Sequence, residues 1–333
     1  MRLRAVAARG TGVAKSFVKL CTQLRTDNAT DNGKEIGKSL IKQTTIGRAV
    51  ETSGLGLHTG VEVRVKLRPA PPDTGYIFLR ADLDDFEIPA SVEHVSHSSY
   101  ATTLMRKGVT LATVEHLLAA LRGEGVDNCY VEVDNLEIPI MDGSSEAFTE
   151  LIERAGVVGQ PAARRALRVR ERVSVAEGDR SISVEPFEGY EIDCLIDFAH
   201  PLIGRQHIQF DALAPGGFGR EVAWARTVGF TEEIEALRRA NLIRGGSLEN
   251  AIVLTPTGML NETPLRAPDE FVRHKVLDII GDLALLGMPL LGRVRAERSG
   301  HLFHAMLIRK LLHADAAWEV VDMPAAVELA AAR

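Results

Sequence analysis

The chain has 333 residues, 45% hydrophobic and 25% charged, with a formal net charge of −6. This is an ordinary globular composition with no basic excess to attract nucleic acid, and no apolar run is long enough for stable membrane insertion. Cys21, Cys129 and Cys194 stand far apart without a CxxC pair, which argues against a disulfide framework or a thiolate zinc site and suits a reducing compartment.

Residues 1–40 hold eight Lys/Arg against three acids. They read as a basic, polar leader that is expected to lack order, and the protein is placed in the cytoplasm. Six basic residues and no acid in the first 25 leave a transit peptide, and hence an organelle, as the alternative. Folded structure is predicted from Ile41. "VEVRVKLRPAPPDTG" (61–75) alternates apolar and charged residues and then breaks at a proline-rich turn, a strand leading into a hairpin with "GYIFLRADL". The stretch 110–128 reads as a helix with Leu117, Leu118 and Leu121 at core spacing, closed by Gly123 and Gly125. A strand over 129–145 and the helix "SEAFTELIERAG" follow.

After a basic connector, "QPAARRALRVRE", the progression repeats. Strands run from "RVSVAEGD" to "EIDCLIDF", "TEEIEALRRANLI" is a helix, and "APDEFVRHKVLDIIGDLALLG" is a long one. "GRVRAERSGHLFHAMLIRKLLHA" supplies a last strand and a terminal helix, and 317–333 is a peripheral tail. Strands preceding helices in both halves predict an α+β protein of two domains, 41–162 and 168–316.

The long helix raises a chemical question. His274, Asp278 and Asp282 follow at i, i+4 and i+8 in an otherwise apolar segment, so they share one stripe. Buried polar groups are costly unless paired or metal-bound. His274 and Asp278 can both reach one metal ion, or can simply hydrogen-bond along a solvated face. Glu115-His116 opens a leucine-rich helix, and His301 follows a glycine just past a strand, whereas His304 is expected to face elsewhere. Together these residues fit one chemistry. Catalytic zinc takes three protein ligands and leaves a position for water; His116, His274 and Asp278 would supply them. Glu115 would act as general base, His301 (held protonated by Asp282) would deliver a proton to a leaving amine, and Lys275 would add fixed positive charge.

The ordered motifs "SGLGLHTG", "LRPAPPDTG", "TVEHLLAAL", "EIPIMDGSS", "ARTVGF", "GGSLENAIV", "EFVRHKVLDIIGDL" and "SGH" resemble the zinc-dependent UDP-3-O-acyl-N-acetylglucosamine deacetylases of lipid A biosynthesis, over about residues 41–316. The resemblance implies the same ligands, base and acid, with Zn2+ as cofactor and zinc-activated water attacking the 2-acetamido carbonyl. It further implies that Thr227 and Lys275 stabilise the oxyanion and that Asp282 positions His301. The implied fold is a pair of similar two-layer α/β sandwiches of the ribosomal S5 domain 2 type, helices inside and sheets outside. A β-α-β insert near 227–253 would form an acyl-chain passage lined by Phe230, Ile234 and Gly246. His58 and Arg298 join the implied substrate contacts; the oligomeric state is open, with monomer the default. Two positions depart from the pattern: Val228 stands where an aromatic is usual, and Glu185 where a basic residue is. The alternatives are a zinc amidohydrolase of this fold acting on another N-acetyl sugar nucleotide, or a catalytically silent binding homologue.

Overall fold

The computed structural model describes residues 40–323, so the expectations for 1–39 and for 324–333 lie outside the described residues. Alternation builds the first large sheet. In Glu62–Pro69, Val63, Val65 and Leu67 are fully buried while Glu62 and Arg64 face solvent, the period-two pattern of a strand with one face on a core. This strand lies second in a five-stranded sheet ordered Val50–Leu55, Glu62–Pro69, Cys129–Val133, Tyr76–Arg80 and Phe86–Pro89. All its pairings are antiparallel except that of Cys129–Val133 with Tyr76–Arg80.

A second sheet has seven strands. Val173–Glu177, Arg180–Glu185, Leu290–Glu297, Arg165–Val169 and Trp318–Asp322 pair in that order, and Tyr190–Phe198 runs parallel to Leu290–Glu297 while carrying Gly204–Asp211. Two sequence expectations are corrected here. The basic connector is strand: Val157–Ala163 pairs with Lys42–Ile46, and Arg165–Val169 enters the second sheet. The helix ending at His313 is not the last element, because Trp318–Asp322 pairs antiparallel with Arg165–Val169. Ala166, Leu167 and Val169 are buried there, so apolar positions between the arginines set the strand where a count of charges suggested a connector.

Six α-helices are described: α1 (Glu115–Gly123), α2 (Glu146–Ala155), α3 (Gly217–Glu221), α4 (Thr231–Arg239), α5 (Glu270–Leu283) and α6 (His301–His313). The segment read as helix from 110 is strand at Val109–Leu111, and α1 begins at Glu115. α2 packs on Val50–Leu55, α5 on Tyr190–Phe198 and Gly204–Asp211, and α6 on Val173–Glu177 and Arg180–Glu185. α4 joins Val228–Phe230 to Ile252–Leu254, which pair in parallel as a β-α-β unit. No described helix is long and apolar enough to cross a membrane.

α1 and α5 pack directly on each other. They meet backbone to backbone at Gly281, where an added Cβ would lie 2.1 Å from the Glu115 carbonyl oxygen and 2.8 Å from its carbon. Helix propensity favours alanine over glycine by about 1 kcal/mol, but overpacking against backbone costs roughly 1–3 kcal/mol or more. Gly281→Ala should therefore lower stability despite its better propensity, and it should weaken metal binding by displacing Glu115-His116. Denaturant unfolding and a metal titration check both effects; a variant as stable as the parent with unchanged affinity would show that the two helices can move apart freely.

Candidate metal centre and its acid–base neighbours

The turn before α1 is strained. Thr113, a β-branched residue, sits at φ +58, a conformation such residues seldom adopt. Its hydroxyl donates to buried Glu137, 3.1 Å away, whose carboxylate also accepts the His58 and Thr59 amides at 2.8 and 2.9 Å. The chain is thus bent so that Glu115 and His116 leave the turn pointing at α5. Both are buried, as are His274, Asp278 and Asp282, so the i, i+4, i+8 stripe faces α1 and not solvent.

His116, His274 and Asp278 converge. Their ligand-type atoms lie within 4.8 Å of one another, with His274 Nε2 at 3.4 Å and His116 Nε2 at 3.9 Å from Asp278 Oδ1. Burial pushes His116 down to about 3 and lowers His274 as well. Burial alone would raise Asp278, but the Lys275 ammonium and the neighbouring imidazoles outweigh it and hold the carboxyl well below its usual range; Lys275 Nζ lies 2.8 Å from Asp278 Oδ2. His274 donates from Nδ1 to the Ala225 carbonyl at 3.0 Å, which turns the Nε2 lone pair toward Asp278. Deprotonated imidazoles and an ionised carboxylate aimed at one point repel each other unless a cation lies between them. The edge of a tetrahedron with bonds near 2.0–2.1 Å is about 3.3 Å, so the residues fit a divalent ion.

The Ala225 carbonyl is itself anchored. Arg226 of "ARTVGF" is buried against Glu270, the first residue of α5, at 2.8 Å, and Glu270 also accepts the amides of Arg226 and Arg266. This ion pair went unnoticed in the sequence because Arg226 and Glu270 are 44 positions apart. It fixes the 225–227 segment relative to His274.

Beside these three residues stands a candidate acid–base pair. Burial pushes the Glu115 carboxyl up to about 8, opposed by His301, and its Oε2 accepts the Thr102 amide at 3.0 Å. His301 donates from Nδ1 to Asp282 Oδ2 at 2.7 Å. Burial works against its proton, but Asp282 and Asp278 prevail and raise it to about 10. Asp282 stays ionised, down to about 2, because its imidazole partners outweigh its burial. Two contributors escaped sequence reasoning. Thr102 donates from Oγ1 to Asp282 Oδ1 at 2.6 Å. His304, expected to face elsewhere, shares Asp282 Oδ2 at 2.7 Å; its i, i+3 spacing from His301 was the available signal.

The other expected residues divide. His58, Thr227, Phe230, Ile234 and Gly246 line one cavity of about 510 Å³, together with Val228 and Tyr100, and Thr227 is two residues beyond the carbonyl that holds His274. Arg298 is not among the residues that line this cavity. Its guanidinium is engaged by Asp197 at 2.5 Å and by Asp179, so its charge is already matched. Glu185 lies on the second sheet, paired with Arg295 at 2.9 Å and near Arg293, which accounts for an acid there without any substrate.

A buried two-imidazole, one-carboxylate set flanked by a proton acceptor and a proton donor defines a candidate mononuclear metal-dependent hydrolytic site. The family model described as UDP-3-O-acyl N-acetylglycosamine deacetylase matches residues 43–313. The UDP-3-O-acyl-N-acetylglucosamine deacetylase of Solibacter usitatus is 47% identical over 279 residues, 84% of this chain and 94% of that protein. Those of Hahella chejuensis (47% over 291 residues, 87% and 96%) and Marinobacter nauticus (48% over 284 residues, 85% and 93%) are similarly close. The chain belongs to the UDP-3-O-acyl-N-acetylglucosamine deacetylase family.

Calorimetric titration of the metal-free protein with Zn2+ should find one tight site per chain. Asp278→Ala and His116→Ala should each weaken it by more than about 100-fold, beyond the 10–100-fold typical of outer-shell changes. Undiminished affinity in either variant would remove that residue from the ligand set.

Proposed function

We propose that the protein is a zinc-dependent deacetylase that hydrolyses the 2-acetamido group of UDP-3-O-acyl-N-acetylglucosamine, releasing acetate and leaving a free amine on the sugar, in the pathway to lipid A. The observation that carries this reading is the convergence of His116, His274 and Asp278 beside an oppositely tuned Glu115 and His301. A zinc ion held by these three residues supplies Lewis acidity, bringing the pKa of a water toward neutrality and polarising the amide carbonyl.

The chain's own groups do the rest. Glu115, fixed through Oε2 by the Thr102 amide, takes a proton from the attacking water. Nδ1 of His301 is committed to Asp282, so its Nε2 is the nitrogen that gives a proton to the departing amine. The Lys275 ammonium and the Thr227 hydroxyl stabilise the charge that develops on the carbonyl oxygen. The cavity bounded by α4 receives the 3-O-acyl chain, and its volume of about 510 Å³ falls in the range typical of small-molecule sites. Val228 presents less apolar surface at the mouth than an aromatic would. We further place the two sheets in separate domains with the helices between them, and the active monomer in the cytoplasm.

The titrations set the pH profile. Glu115 must be ionised, so activity rises as pH passes upward through its value, and His301 must be protonated, so activity falls as pH passes upward through its own. A bound cation favours the deprotonated forms and lowers both limbs from about 8 and about 10. Glu115→Gln should retain zinc and lose about 10²–10⁴-fold in kcat. His301→Gln should retain zinc and lose the alkaline limb; an unaltered bell would assign the acid to another residue.

Each methylene fully removed from water contributes about 0.8 kcal/mol, enough for a long acyl chain to decide substrate choice. Binding that is equal in ground and transition states acts on KM more than on kcat. Ile234→Asp should therefore lower kcat/KM on the acylated substrate while leaving hydrolysis of the unacylated sugar nucleotide nearly unchanged. Equal losses on both would take Ile234 out of the passage.

A further inference from the structure

We propose that His304 is a positioning residue of the reaction, acting through Asp282 on the ring of His301. This rests on the deacetylase reading for its kinetic consequence, though not for its geometry. Asp282 Oδ2 accepts two imidazole N–H groups at 2.7 Å, one from His301 and one from His304, while Oδ1 accepts the Thr102 hydroxyl at 2.6 Å. The two rings are 6.0 Å apart and nearly perpendicular, at 76°. His304 is held at its other end as well, with Nε2 3.1 Å from Ser299 Oγ.

The differences between the rings suggest a division of labour. His301 is the first residue of α6 and is partly exposed, with 11% of its side chain accessible, whereas that of His304 is 1% accessible. A carboxylate bonded only to His301 would retain a broad two-fold torsion, and so would the imidazole riding on it. Donors on both oxygens, from Thr102 on one side and His304 on the other, fix the carboxylate plane and hence the line along which His301 presents Nε2. Misplacement of a reacting group by about 1 Å can cost 100-fold in rate. Packing does not require an imidazole at 304: Phe303, Ala305, Leu307 and Ile308 around it are buried and apolar, and a phenyl ring would fill the space without donating.

The test uses the full-length, zinc-loaded protein with ¹⁵N-labelled histidine. Ring N–H groups bonded to a carboxylate give low-field proton signals, and the parent should show one from His301 and one from His304. His304→Phe should remove the latter and shift the former. Its kcat per bound zinc should fall roughly 10–100-fold, as for partners that orient an active group, with KM and zinc content unchanged. His304→Asn, whose side-chain amide can donate to Asp282, should restore the His301 signal and most of the turnover. A His301 signal unmoved in His304→Phe, or full kcat per bound zinc at a temperature where that variant is folded, would overturn the proposal. So would zinc lost together with activity, since that would make His304 part of the metal-holding set. If the signals shift as expected but the parent releases no acetate from UDP-3-O-acyl-N-acetylglucosamine, the deacetylase reading fails and the coupling of the two rings stands.

Discussion

The site depends on one contact, that of the Glu115 backbone with Gly281. No side chain fits between α1 and α5 at that point, so the two helices meet backbone to backbone there. Because of this approach, a residue at the start of α1 can share a metal with residues in the middle of α5. His116 and Asp278 are 162 positions apart, yet their side chains lie 3.9 Å from each other. A methyl group at 281 would force α1 outward and separate His116 from His274 and Asp278.

The second constraint is electrostatic. Asp278 and Asp282 are held ionised in the buried stripe, Lys275 and His301 are held protonated, and Glu115 keeps its proton to about 8. Two negative and two positive charges therefore balance in the metal-free site at neutral pH, the arrangement expected where isolated buried charges are prohibitive. A divalent cation upsets that balance in the useful direction, because added positive charge favours the carboxylate form of Glu115. Burial raises Glu115 and ion pairing raises His301, so at neutral pH a cation beside this low-dielectric pocket would favour ionised Glu115 while His301 keeps its proton.

Around these groups, buried polar contacts convert folding into alignment. The Arg226–Glu270 pair ties the segment before the cavity to the first residue of α5 and so aims the Ala225 carbonyl at His274. Thr102 touches Glu115 through its amide and Asp282 through its hydroxyl, holding Glu115 and the His301–Asp282 pair in register. The cavity bounded by α4 begins at Thr227, so its lining is continuous in sequence with the Ala225 carbonyl that accepts from His274.

The sequence alone determined much of the chemistry. Period-two alternation in Glu62–Pro69 and the stripe at 274, 278 and 282 are local consequences of strand and helix geometry, legible wherever neighbouring residues carry the pattern. The ordered motifs added an expected ligand set, whose residues the fold brings together, and the region that lines the cavity. Several features were decided only by tertiary structure. Arg165–Val169 reads as a charged linker until Trp318–Asp322 and Leu290–Glu297 cover it on either side, because an edge or a tether becomes a strand only when partners supply its hydrogen bonds. Arg298 was expected only as an implied substrate contact, and its pairing with Asp179 and Asp197, more than a hundred positions away, is visible only in the fold. Thr102 and His304 lie outside the ordered motifs, and Gly281 lies inside one without a role that the motif assigns. Their roles arise from atoms of other elements within hydrogen-bonding or van der Waals distance, and such distances exist only once α1, α5 and α6 have packed.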